Sequence, residues 1–217
     1  MFFSLFLPVL VSSCGDVCNE DDGAYIPNTF PNVPPSPACP SGYTTFLRPG
    51  YKWCMKIYAA GNYSYTEAEA LCTADGAVVS GFQNAVEKSW LASNALVLMV
   101  NTYGVRQGTI WIGLQLREEC DVDDFYSVAA CTPASTSAYY WTDGYTAGYG
   151  QVLWQDDEPV DTPYNCTFMV TYDRGSVSYT QVNPQEVTNY DCTVTDPEYP
   201  YMYVGAVVCG TLQTVYD

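Results

Sequence analysis

Apolar positions along the chain fall mostly into short runs broken by turn residues, with a helical recurrence confined to the region before residue 104. Tyr43 to Phe46 and Tyr51 to Tyr58 are rich in aromatic and β-branched side chains and are separated by Pro49-Gly50, the composition of a β-hairpin. Thr66-Glu67-Ala68-Glu69 supplies the threonine and glutamate of a capping box. Good helix formers follow through Cys72 until Gly76 stops the run, so the pattern predicts a helix carrying Cys72. Asn84, with Glu87 three residues on, opens a second helix in which Val86, Trp90, Leu91, Leu98 and Met99 recur at helical spacing and predict one core-facing stripe. The remainder alternates β-like runs with turns: Thr109 to Leu116, Tyr139 to Trp141, Val152 to Trp154, Thr167 to Tyr172, Ser176 to Val182 and Tyr201 to Cys209. Two helices followed by many short strands predict an α+β domain.

Two tryptophan runs stand out within this pattern. Trp111-Ile112-Gly113-Leu114 has the bulk of a buried strand, and Trp141-Thr142-Asp143-Gly144 ends in a turn dipeptide that closes another. Between them Cys120 and Cys131 suggest a stapled excursion from the core.

The chain before this region reads differently. Met1 to Val11 is apolar apart from Ser4, and small residues follow before Cys14, so residues 1–13 read as a signal peptide cleaved before Cys14. A lipoprotein signal ending on Cys14 is the weaker alternative, because both readings lack a basic start. Residues 14–38 run from acidic to proline-rich and predict an extended linker. Cys14 and Cys18 within it either close a small local loop or bond to another chain, making a disulfide-linked oligomer. The folded domain is expected over 39–210 with a short tail at 211–217. No later stretch is apolar enough for a membrane helix, and a soluble, secreted, extracellular protein is expected.

Composition narrows the chemistry. The 217 residues hold ten cysteines and no histidine, which excludes imidazole triads and imidazole zinc sites. No cysteines form a Cys-x-x-Cys pair, so disulfides in an oxidising compartment are the reading. A net charge of −17 repels phosphate backbones and anionic membranes and excludes nucleic acid as a partner. The 20 tyrosines combine apolar area with a polar tip, as a contact surface facing water requires.

Cys39-Pro40-x-Gly42-Tyr43, Trp53-Cys54, Ala68-Glu69-x-x-Cys72, the two tryptophan runs, Trp154 before Glu158-Pro159, and then Cys166, Cys192 and Cys209-Gly210 occur together in one order. In that order the chain resembles a C-type lectin-like domain in its long form, similar to the secreted nematode versions. The resemblance implies Trp111, Gly113, Trp141 and Pro159 as structural positions. It also implies bridges Cys72–Cys209 and Cys166–Cys192, with Cys39–Cys54 as the extra bridge of the long form and Cys120–Cys131 in the insertion.

In such domains a calcium ion held by side-chain oxygens binds the sugar. Carried across position by position, Glu158 and Pro159 match, Val160 replaces an asparagine, Tyr164 replaces a glutamate, and the Asn-Asp pair becomes Thr188-Asn189. No cofactor is required on this reading. A calcium site with shifted register, built from Asp157, Glu158, Asp161 and Asn189, is the alternative. Asp121, Asp123 and Asp124 lack the glycine and terminal glutamate of an EF-hand loop and read as a solvated excursion.

The expected function is that of a secreted recognition module for a glycan or an extracellular protein. Trp154, Glu158, Tyr164, Asn189 and Tyr190 form its candidate ligand surface. A calcium-dependent lectin, and a structural matrix component linked through Cys14 or Cys18, are the alternatives. A glycoside hydrolase is disfavoured, since nothing in the sequence marks a desolvated carboxylate pair. Asn62-Tyr63-Ser64 and Asn165-Cys166-Thr167 are glycosylation sequons, with Asn62 the better acceptor because Asn165 adjoins a cysteine expected to be bridged.

Overall fold

A computed structural model describes residues 38–122, 128, 131, 138–159, 164–173, 175, 183–195 and 203–213. The chain divides into Met1–Pro34 and Pro35–Asp217, and the described residues belong to the second unit. The leader, Cys14, Cys18, Asp123, Asp124, Asp161 and the Ser176–Val182 run lie outside the described residues.

The strands are β1 (Thr44–Arg48), β2 (Tyr51–Ala59), β3 (Val78–Val79), β4 (Gln107–Leu116), β5 (Tyr139–Trp141), β6 (Cys166–Tyr172), β7 (Val187–Tyr190) and β8 (Val204–Leu212). They form one sheet in the order β1-β2-β8-β4-β6-β7, with β3 added on β8 and β5 on β4. The central β4–β8 pair is parallel and joins the two antiparallel halves. The predicted hairpin is present, Phe46 lying opposite Trp53. Val152 to Trp154 makes only a bridge from Trp154 to Val187 rather than a strand.

Both faces of this sheet are covered, which explains the unbroken apolar run in β4. Ile110, Ile112 and Leu114 enter a core shared with α2 (Ala85–Tyr103), while Trp111 between them enters a second core with Tyr65, Ala68 and Cys72 of α1 (Tyr65–Ala74). The period of two along a strand therefore sorts one run into two cores. Gly113 is fixed by close approach: a Cβ there would collide with the Val79 carbonyl and lie 2.9 Å from Thr142 Oγ1.

Helix α1 begins two residues earlier than the Thr66 capping box predicts. Ser64 is the N-cap, its hydroxyl accepting from the Glu67 N–H while the Glu67 carboxylate accepts from the Ser64 N–H at 2.8 Å. The earlier start places Tyr65 on the buried face, edge-on to Trp111 with ring centres 5.6 Å apart. Helix α2 opens at Asn84 as expected and closes on Gly104 in the left-handed region. Of the predicted stripe, Leu91 and Met99 are fully buried and Trp90 packs against the core, but Val86 is 71% exposed, and Glu87, Lys88, Ala92 and Ala95 also face inward. Two charged residues turn in because each finds a polar partner, described below.

Four disulfides close the domain: Cys39–Cys54, Cys72–Cys209, Cys120–Cys131 and Cys166–Cys192. All four pairings implied by the resemblance are present.

At the C-terminus of α1 the Asp75 carboxylate collects hydrogen bonds from the Tyr58 hydroxyl, the Tyr43 hydroxyl at 2.7 Å and Lys56 Nζ at 3.1 Å. Those donors, Tyr58 foremost, push its pKa down to about 2. A carboxyl whose folded pKa lies below its usual value of about 4 contributes stability at higher pH that is lost as pH falls through the folded value. Between about pH 4 and pH 2 the melting temperature of the native chain is expected to fall more steeply than that of Asp75→Asn. Thermal scans giving parallel slopes for the two proteins would refute the contribution.

Candidate functional site

The long loop leaves β5 through Trp141 and returns at β6, and its first turn is held by one carboxylate. Asp143 Oδ1 accepts from the N–H groups of Tyr145 and Thr146 at 2.9 and 2.7 Å, and Oδ2 accepts from the Gly81 N–H at 2.9 Å and the Thr146 hydroxyl at 2.6 Å. Arg48 Nη1 donates to the same Thr146 hydroxyl at 3.1 Å, and its guanidinium pairs with Glu87 at 2.8 Å. Further along, Lys88 Nζ donates to the Gln151 carbonyl at 2.7 Å. Burial lowers the Lys88 pKa. The two inward charges of α2 thus anchor the loop that follows the second tryptophan motif.

Beyond Gln151 the loop joins the sheet edge. Trp154 bridges to Val187, and the N–H of Val187 donates to the Leu153 carbonyl at 2.8 Å. Asp157 adopts φ 65° and the Glu158–Pro159 bond is cis. Of the four candidate calcium positions, Asp157 is exposed, Glu158 is half-buried, Asn189 is 1% exposed within β7, and Asp161 lies outside the described residues. Among the described residues no group of three or more acidic, cysteine or histidine side chains is placed to hold a metal ion.

The expected ligand surface also divides. Trp154 lies against Tyr139 with ring centres 4.9 Å apart, at the edge of the core under α2. Tyr190 belongs to the opposite face, with Phe168 at 5.5 Å on one side and Tyr164 stacked at 5.5 Å on the other. Asn189, between Thr188 and Tyr190, is turned from solvent and cannot join either group as a contact residue in this conformation. The strand period explains the division, because alternate residues of β7 face opposite cores.

Two residues that no motif singled out, Tyr140 and Gln115, lie in the cross-strand row that ends at Tyr190. Register places Tyr140 opposite Gln115, Gln115 opposite Cys166, and Cys166 opposite Tyr190, so these four form one row across β5, β4, β6 and β7. Arg117 lies over the Tyr140 ring at 5.8 Å. A polar Gln115 within the apolar β4 run, and a Tyr-Tyr pair straddling a strand, were the available signals.

Of the two sequons, Asn62 is exposed in a left-handed turn before α1, whereas Asn165 Nδ2 donates to Asp121 Oδ2 at 3.1 Å.

A two-helix α+β domain stapled by four disulfides, with a long loop leading to a cis proline, has the architecture of a C-type lectin-like domain, a class of binding modules. Residues 48–212 match the family model described as C-type lectin domain-containing protein 141/158, and the chain belongs to that family. No curated protein matches the sequence. Similar solved structures include a calcium-independent type II antifreeze protein at 18% identity and TM-score 0.48, covering 82% of this chain and 96% of that one. The cow CD23 carbohydrate-recognition domain, in the presence of an oligosaccharide, has 16% identity and TM-score 0.49 over 82% of this chain and 98% of its own. Human lithostathine has 15% identity and TM-score 0.49, covering 86% and 99%.

Proposed function

We propose that the chain is a secreted recognition module that binds an extracellular glycan or protein without calcium. Burial of Asn189 at 1% exposure, beside a Tyr164 that is stacked on Tyr190 and offers no carboxylate, is the observation that carries the calcium-free reading. Two of the positions that supply oxygens in the family's sugar site are thereby given to packing. Four disulfides favour an oxidising compartment, and among the described residues no helix is long and apolar enough to cross a membrane.

The test is thermal. A calcium site filled at about 100 times its Kd would add roughly 2.7 kcal/mol of stability, or about 5–10 °C in Tm for a domain of this size. The expected result is the same Tm in excess calcium and in excess chelator. A rise of several degrees with calcium would replace this reading with that of a calcium-dependent lectin.

A further inference from the structure

We propose that the row of Tyr140, Gln115 and Tyr190, extended by Tyr164, is a platform for a neutral oligosaccharide. This rests on the calcium-free recognition reading and names its ligand class. The platform lies on the opposite face of the sheet from Trp154 and uses neither Asp157 nor Glu158.

Tyr164 is the outer end of a ring ladder rooted in the core. Trp111 and Phe168 are both fully buried, with ring centres 5.3 Å apart; Phe168 meets Tyr190 at 5.5 Å, and Tyr190 meets Tyr164 at 5.5 Å with planes 22° apart. A ring held this way has already lost its rotamer freedom, so a ligand stacking on it meets little further ordering cost. At the other end of the row Tyr140 is 38% exposed, with the Arg117 guanidinium over its ring. Three strand steps separate Tyr140 from Tyr190, about 14 Å at the usual strand spacing. That length spans several pyranose rings rather than one.

Between the aromatic ends lies an amide with capacity to spare. Gln115 Oε1 accepts from the Tyr140 hydroxyl at 3.5 Å, and among the described residues its Nε2 donates to Cys166 Sγ alone, at 3.6 Å. The first bond is long and the second goes to sulfur, a weak acceptor, so sugar hydroxyls can replace both at little cost. Rings that cover the apolar face of a pyranose, flanking an amide that both donates and accepts, match a polyhydroxylated chain better than an apolar peptide anchor. Charge selects among glycans. Glu118, Glu119 and Asp121 are exposed next to Arg117, and the whole chain carries −17, so sulfated or sialylated chains are repelled.

The intact chain is applied to an array of short neutral, sulfated and sialylated oligosaccharides, in calcium and in chelator. Binding confined to neutral oligosaccharides and unchanged by chelator is expected. Tyr164→Ala and Tyr140→Ala should each weaken it on the order of tenfold. Val97→Ala, on the exposed face of α2 and outside both the platform and the long loop, should leave it unaltered. Because Tyr140 is a surface residue, its variant reports on the platform even if Tyr164→Ala unfolds. Absence of neutral-glycan binding, preference for anionic chains, or equal binding by Tyr140→Ala overturns the platform. Wild-type chain that binds no glycan yet keeps a calcium-indifferent Tm loses only the platform, and leaves a protein ligand for the recognition reading. Binding abolished by chelator overturns both.

Discussion

Replacing Cys72 and Cys209 together by alanine is expected to remove about 5 kcal/mol of stability, at least a third of the roughly 5–15 kcal/mol typical of a folded domain. Loop closure sets the magnitude. The bridge spans 137 residues, whereas Cys120–Cys131 spans 11, and the chain-entropy cost of the unbridged state grows with the logarithm of that length. By the same relation the shorter bridge contributes less than about 3 kcal/mol. Packing adds to the difference, because Cys72 on α1 and Cys209 on β8 are both fully buried among Ala68, Trp111 and Val207. Alanine at both sites leaves that core short of two sulfur atoms. Guanidinium unfolding under non-reducing conditions measures it. Equal losses from the long and the short bridge would show that native-state packing, and not loop length, sets the contribution of these disulfides.

Much of this architecture was legible in the sequence because it depends on order and spacing. The turn at Pro49-Gly50 separates two strands of a hairpin, Asn84 caps the helix it was expected to cap, and the four cysteine pairs that the family resemblance implies meet. What escaped depends on contacts between distant segments. Ser64-x-x-Glu67 and Thr66-x-x-Glu69 have the same cap spacing, and the burial of Tyr65 against Trp111 decides between them. Val86 fits a helical stripe yet faces solvent, because Glu87 finds Arg48 from 39 residues away. The ligand surface was the least legible part. Trp154, Asn189 and Tyr190 are near one another or near a shared motif in sequence, but a sheet buried on both faces sends alternate residues to opposite sides. Tyr140 and Gln115 belong with Tyr190 only through strand register, which no local pattern reports.

The pair Arg48–Glu87 provides the second large effect. Glu87→Ala is expected to cost about 3–5 kcal/mol, because it leaves a guanidinium buried without its counter-charge. Glu87 is fully buried and Arg48 is 5% exposed. Their contact is a two-pronged one, Nε to Oε1 at 3.0 Å and Nη2 to Oε2 at 2.8 Å. The remaining capacity is also used: Arg48 donates to the Gly81 carbonyl at 3.2 Å and to Thr146, while Glu87 accepts from the Gln83 N–H at 2.7 Å. A buried pair this fully bonded is costly to break and cheap to replace as a unit. Arg48→Met with Glu87→Leu should therefore cost less than either single change, and a double-mutant cycle by urea unfolding should give a coupling energy above about 2 kcal/mol. Additive single effects would mean that the ions act independently. The double variant also separates stability from loop order. It removes the Arg48 bond to Thr146, so the Tyr145 and Thr146 amides held by Asp143 are expected to exchange faster with solvent even where global stability is retained. Unchanged exchange at those two amides would show that Asp143 holds the turn alone, and that the ion pair anchors α2 to β1 without reaching the loop.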